Sequence, residues 1–141
     1  MAVDKLKLEN QICFPFYAIS NAIIRLYGPL LKELGITYPQ YLVLLVLWEK
    51  DELSVGDICT KLHLKTNTLT PLLQKLESKD LITRTKSIHD NRKVNISLTS
   101  AGREMESKAE CIPDEIVKDT GVGEAEYIQL RGLLGKILAD I

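Results

Sequence analysis

Thr66-Asn67-Thr68-Leu69-Thr70-Pro71-Leu72-Leu73-Gln74-Lys75-Leu76-Glu77-Ser78 is followed by Leu81-Ile82-Thr83-Arg84-Thr85-Lys86 and then by Val94-Asn95-Ile96-Ser97-Leu98. Within these three stretches the hydrophobic period changes from helical to alternating. Leu69, Leu72, Leu73 and Leu76 share one face of a helix over residues 66–78, and Asn67, Thr68, Thr70, Gln74 and Lys75 fill the opposite face. Pro71 has to lie in the early turns of that helix or bend it. The next two stretches alternate as strands, and residues 87–93 between them form a polar, basic tip, so a hairpin follows the helix.

Working outward, Ser54-Val55-Gly56-Asp57 has the form of a helix N-terminus that opens a short helix to about Leu62, and His63-Leu64-Lys65 form the turn into the next helix. Before it, Thr37-Tyr38-Pro39-Gln40 has the form of a capping box with proline in the first turn, leading a buried helix that ends about Lys50. Ile12, Phe16, Ile19, Ile23, Leu26, Leu30 and Leu34 recur at helical spacing from Leu8 onward. Tyr27-Gly28-Pro29 is expected to kink that helix, and Gly35 suits its C-cap. After the hairpin, Thr99 or Ser100 caps a helix through Glu110, which Pro113 interrupts. Gly121 and Gly123 flank a turn before a last helix with Tyr127, Leu130, Leu134, Ile137 and Leu138 on one face. Short helices followed by a two-stranded hairpin make a mainly α chain with a winged helix-turn-helix over residues 36–99. The helices of 1–35 and 100–141 remain as dimerisation helices of the same single domain.

At 141 residues, 45% hydrophobic and 26% charged, the chain has the profile of one globular domain. Met1-Ala2-Val3-Asp4-Lys5 carries no secretory pattern, and the apolar run from Tyr41 to Trp48 is too short to span a bilayer, so a soluble cytoplasmic protein without membrane partners is expected. Three cysteines without short spacing and two histidines in different settings fit neither a disulfide framework nor a metal site, and no cofactor is called for. The net charge of −1 conceals a partition: residues 61–93 hold 8 basic and 3 acidic groups, +5, against −2 before them and −4 after. The positive charge therefore falls on the second helix of the helix-turn-helix and on the hairpin, the two elements that would touch double-stranded DNA.

Asp90-Asn91-Arg92-Lys93-Val94-Asn95-Ile96-Ser97-Leu98-Thr99 resembles the wing of the MarR family of bacterial regulators, a D-x-R followed by a strand ending in L-T. Leu69-Thr70-Pro71-Leu72-Leu73-Gln74-Lys75-Leu76-Glu77, Leu34-Gly35-Ile36-Thr37-Tyr38-Pro39-Gln40-Tyr41-Leu42-Val43, and Gln11-Ile12-Cys13-Phe14 with Tyr17 are similar to the branch that senses organic hydroperoxides. The likeness runs from about Leu8 to Gly102 and is looser beyond. It departs where that branch has D-S-G before T-L-T-P and this chain has Lys65-Thr66-Asn67, which puts the preferred operator in question.

On the recognition helix, Thr66, Asn67, Thr68, Thr70 and Gln74 are candidates for base edges, with Lys65 and Lys75 for phosphates. Arg92 at the wing tip is the leading single DNA contact, suited to the negative potential of the minor groove, with Asp90 as the ion-pair partner that shapes the tip. Lys86, His89 and Lys93 either meet phosphates or stand solvated. Cys13 lies near the start of the first long helix, where the macrodipole favours a thiolate, and Tyr17 shares its face one turn on. The resemblance implicates Tyr27 and Tyr38 as hydroxyl donors to this sulfur, from the partner subunit of a homodimer. It further implies an organic hydroperoxide as signal, oxidation of Cys13, condensation with a low-molecular-weight thiol or another cysteine, and release of the operator. Cys111 is a candidate resolving cysteine by the same resemblance, although it falls earlier than the family's residue; Cys59 reads as core. Three other readings stay open: a repressor answering to a small phenolic or apolar ligand, a thiol peroxidase using Cys13, and a winged helix that binds protein only.

Overall fold

The computed structural model describes residues 3–141. Among them, single 3-10 turns at Asp4–Leu6 and Leu8–Asn10 precede helices α1 (Cys13–Leu34) and α2 (Tyr38–Glu49). A short strand β1 (Leu53–Ser54) leads to α3 (Val55–Leu62) and α4 (Thr66–Ser78). Strands β2 (Ile82–Lys86) and β3 (Val94–Leu98) follow, then α5 (Ser100–Ala109), α6 (Ile112–Thr120) and α7 (Glu124–Asp140). Residues up to Glu110 make one compact unit and Cys111–Ile141 a second. The expected fold class, mainly helical with a small β wing, is what the chain adopts. No single helix among the described residues is long and apolar enough to cross a membrane.

In the first unit the core gathers around α2. Val43, Leu44 and Leu47 are fully buried, and the helix is apolar on nearly every side, as befits one surrounded by neighbours. Ile58 of α3, Leu69, Leu73 and Leu76 of α4, and Ile82 and Ile96 of the sheet complete it, all at 1% exposure or less. Each such side chain contributes about 1.5–3 kcal/mol on burial. The helix-turn-helix is fixed at its ends by short polar residues. Ser54 Oγ accepts from Asp57 N at 3.0 Å while Asp57 Oδ2 accepts from Ser54 N at 3.3 Å, a closed capping box. His63, in the left-handed conformation at φ 54°, ends α3.

Several expectations are corrected. The first helix begins at Cys13 rather than Leu8, because the side chains just before it compete for the backbone: Asn10 Nδ2 donates to Asp4 O and Gln11 Nε2 to Lys5 O and Lys7 O. Tyr27-Gly28-Pro29, expected to kink α1, lies within it, and the helix continues through Pro29 to a Gly35 cap at φ 71°. The sheet has three strands in the order β1-β3-β2, not two, with Leu53 opposite Ile96 and Ser54 opposite Asn95. The first wing strand starts at Ile82, one residue later than the alternation suggested. Pro113 lies in the first turn of the separate helix α6, where its missing N–H costs nothing. Cys59 is half-buried rather than core, with Sγ 3.9 Å from Thr66 Oγ1.

Candidate DNA interface and redox site

Helix α4 turns its leucines inward and leaves Thr66, Asn67, Thr68, Gln74 and Lys75 exposed, with Lys65 exposed at the N-cap. Thr70 differs from these: it is half-buried, and its hydroxyl already donates to Thr66 O at 2.8 Å. Pro71 sits inside the helix, so Asn67 O gains no helical bond from position 71.

The wing is an antiparallel pair with Ile82 opposite Leu98, Arg84 opposite Ile96 and Lys86 opposite Val94. Its tip is closed by Ser87 N donating to Lys93 O at 2.8 Å and Lys93 N to Asp90 O at 3.0 Å. Asp90 Oδ1 accepts from Arg92 N at 3.0 Å and lies 3.4 Å from Arg92 Nε, while 92% of the Arg92 side-chain surface stays open. The carboxylate thus shapes the loop and leaves the guanidinium projecting. Lys86, His89 and Lys93 are exposed around it.

Two polar links that sequence reading missed hold this surface together. Arg84 of β2 donates to Glu77 of α4 at 2.9 Å, tying wing to recognition helix, and that hydrogen bond keeps the Glu77 carboxyl below its ordinary range. Asp51, in the turn after α2, accepts from Leu98 N at 2.9 Å and Glu52 N at 2.8 Å and pairs with Arg103 at 3.2 Å. Partial burial pushes its carboxyl up, but those backbone bonds and the guanidinium outweigh burial and bring it below the usual value. Neither pair leaves a local sequence signal, since the partners belong to different elements and no helical or strand periodicity pairs them: Asp51 and Arg103 are 52 residues apart, and Glu77 and Arg84 lie on either side of the turn between α4 and β2.

Cys13 is the first residue of α1 and is exposed; Tyr17, one turn on, is 70% exposed. Tyr27 and Tyr38 come together, with ring centroids 4.7 Å apart, and buried Tyr41 joins them at 5.6 Å from Tyr27. Trp48 meets Tyr41 edge-on at 6.3 Å. Tyr41 was not singled out from the sequence, although its place three residues after Tyr38 on one helix was the available signal. Desolvation raises the Tyr38 hydroxyl above its ordinary value, as it does that of Tyr41, where Tyr38 adds to the effect, so both stay protonated and able to donate. Cys13 and Tyr27 lie on the same unbroken helix, 14 residues apart, hence about 21 Å along its axis. The tyrosine cluster and the cysteine of one chain are therefore separate. Cys111 is exposed at the N-cap of α6 in the second unit.

Residues 25–109 match the family model described as transcriptional regulator SarA/Rot, more than half of the chain. The chain is a winged-helix transcriptional regulator of the MarR family. It is 44% identical over 138 residues to the organic hydroperoxide resistance transcriptional regulator of Bacillus subtilis (strain 168), covering 98% of this chain and 94% of that protein. This places the regulator in the hydroperoxide branch that the sequence resembles. Among solved structures it is similar to reduced AbfR bound to DNA, a Staphylococcus epidermidis protein, at TM-score 0.81 and 32% identity over 99% of this chain and 96% of that one. A MepR–DNA complex from S. aureus matches at TM-score 0.82 and 29% identity over 93% and 98% of the two chains. The regulator is thus a DNA-binding protein and not an enzyme.

Proposed function

We propose that the regulator acts as a homodimer that holds operator DNA, as a repressor, while Cys13 is reduced and releases it when an organic hydroperoxide oxidises Cys13. The observation that carries this reading is the separation on α1. An exposed cysteine at one end and a tyrosine cluster about 21 Å away form one site only if a second copy runs alongside, so that each Cys13 meets the partner's cluster. Exposed apolar side chains near the start of α1 (Ile12, Phe14, Phe16, Ile19) and along α7 (Ile128, Leu130, Leu133, Leu138) support such pairing. Further support comes from AbfR, whose solved forms include a disulfide-formed state and an overoxidised state bound to DNA.

In the mechanism, the tyrosine hydroxyls donate to the Cys13 sulfur. The thiolate attacks the peroxide, an S–O bond forms as O–O breaks, an alcohol leaves, and Cys13 becomes a sulfenic acid. A low-molecular-weight thiol, or Cys111, then displaces water to give a disulfide. The bulkier sulfur no longer fits under the tyrosines, the two wings shift, and Arg92, Lys86 and Lys93 together with Lys65, Thr66, Asn67, Thr68, Thr70, Gln74 and Lys75 lose their places on DNA. Anisotropy of promoter DNA from upstream of the regulator's own gene tests this, with wild type and Cys13→Ser titrated with and without cumene hydroperoxide. Loss of binding in oxidised wild type alone is expected; binding indifferent to peroxide refutes the switch.

One observation favours a second reading, a small phenolic or apolar ligand. Ile24, Leu31, Ile36, Tyr38 and Lys79 line a cleft of about 440 Å³ in the first unit. On that reading peroxide leaves DNA binding intact.

A further inference from the structure

Lys79 caps the C-terminal end of α4, and its ammonium reaches back to the junction of α1 and α2. Nζ donates to Gly35 O at 2.6 Å and to Gln40 Oε1 at 3.0 Å. Gln40 is the one charged or polar side chain buried among the described residues, at 2% exposure. Its Oε1 also accepts from Thr37 N at 3.1 Å, so a single oxygen joins the N-cap of α2 to Lys79. Gly35 and Ile36 close α1 through bonds to Lys32 O and Leu31 O, so Gly35 is held in place as an acceptor. Tyr38, the residue after Thr37, rests its ring on Tyr27. One lysine therefore joins the end of the recognition helix to the segment that carries the tyrosine cluster.

We infer that Lys79 is a positioning residue for DNA recognition, the link through which the tyrosine cluster sets the angle of α4. The regulatory consequence rests on the redox reading above; the link itself does not. Helix α4 has 13 residues, about 20 Å, so a pivot of about 10° at its Lys79 end carries Thr66 and Asn67 by about 3 Å. That is a full hydrogen-bond length, enough to remove base-edge contacts. Arg84–Glu77 fixes α4 to the wing, so the wing follows the same pivot. The lysine stem suits the task because it spans from α4 to two acceptors on another part of the chain, whereas a shorter donor at position 79 would not reach them.

The test is a double-mutant cycle on binding of the reduced regulator to the same promoter fragment, using Tyr38→Leu, Lys79→Met and the pair, at several salt concentrations. Tyr38→Leu is expected to weaken binding about tenfold with Lys79 present and less than about twofold in the Lys79→Met background, a coupling that independent sites do not show. Gln40→Met, which removes the shared acceptor and keeps its bulk, is expected to be non-additive with Lys79→Met in the same way and serves should Tyr38→Leu lose helical circular dichroism. Lys79→Arg restores most of the affinity. The salt slope of Lys79→Met stays that of wild type, whereas loss of a phosphate contact would lower it by about one. Additive effects, or a slope reduced by one, overturn the proposal. In a peroxide arm, a wild type that fails to release DNA strikes the redox reading, while the cycle alone judges the link.

Discussion

Replacing Gly102 by alanine tests how the wing is seated on the helices. Thr99 caps α5, its Oγ1 accepting from Gly102 N at 3.0 Å, and Thr99 N donates to Leu81 O at 3.1 Å. This draws the first turn of α5 onto the backbone at the start of β2. A Cβ at position 102 would lie far inside contact distance of Leu81 O and 3.1 Å from Leu98 Cδ2, and a backbone carbonyl that already accepts from Thr99 N cannot swing aside as a side chain does. Gly102 O also accepts from Trp48 Nε1 at 2.9 Å. Overpacking costs about 1–3 kcal/mol and the indole hydrogen bond about 1 kcal/mol, giving a loss of about 2–4 kcal/mol. With an unfolding entropy near 2.1 cal/mol/K per residue, that lowers the melting temperature by about 7–13 °C. Gly56→Ala is the control. The added Cβ there finds only Ser54 Oγ at 3.8 Å, and alanine in a helix gains about 0.5–1 kcal/mol, or about 2–3 °C. Melts followed by far-ultraviolet circular dichroism and by fluorescence of Trp48, the sole tryptophan, separate the two. A Gly102→Ala variant that melts within about 2 °C of wild type refutes the reasoning.

Two further outcomes are expected. Arg92→Ala weakens operator binding by about 1–3 kcal/mol and lowers the salt slope by about one, read by anisotropy between low and physiological salt; an unchanged affinity would remove the tip arginine from the interface. Asp51 has its carboxyl lowered in the folded chain, so its stabilisation is complete above the unfolded carboxyl value of about 3.9 and disappears as pH falls through the lower folded value. Asp51→Asn should therefore be the less stable protein at pH 7, with the gap to wild type closing below about pH 4 in denaturant titrations. A gap that persists at pH 2 would mean the carboxylate charge is not what stabilises.

The helix-turn-helix and the wing were legible because their signals are local. Leucines at one helical period set α4 from Thr66 to Ser78, Ser54 and Asp57 mark the start of α3, and alternation over residues 82–86 and 94–98 gives the hairpin. Strand β1 was not legible, since Leu53-Ser54 is too short to alternate and exists only through its pairing with β3. The apolar spacing of Leu8 and Ile12 pointed to helix, yet these side chains stand 60% and 71% exposed, and without burial the polar competition of Asn10 and Gln11 decides the backbone. At the site, Cys13 and Tyr17 were marked by their positions at the start of the first helix and one turn on as well as by resemblance, while Tyr27 and Tyr38 were named through family resemblance alone. Arg84–Glu77, Asp51 and Lys79 depend on contacts made between elements, so no stretch of sequence announces them, whereas Tyr41, three residues after Tyr38 on the same helix, carried a local signal.

The placement of β3 between β1 and β2 also governs how copies of this chain can meet. Both backbone edges of the central strand are occupied, and β1 is only two residues long. The remaining free rim belongs to β2, five residues carrying Arg84 and an exposed Lys86. Short, charged rims of this kind resist end-to-end strand pairing, which is the usual route from a sheet to fibrils. Strand addition from one copy of the regulator to the next is disfavoured for the same reason, even where copies crowd together.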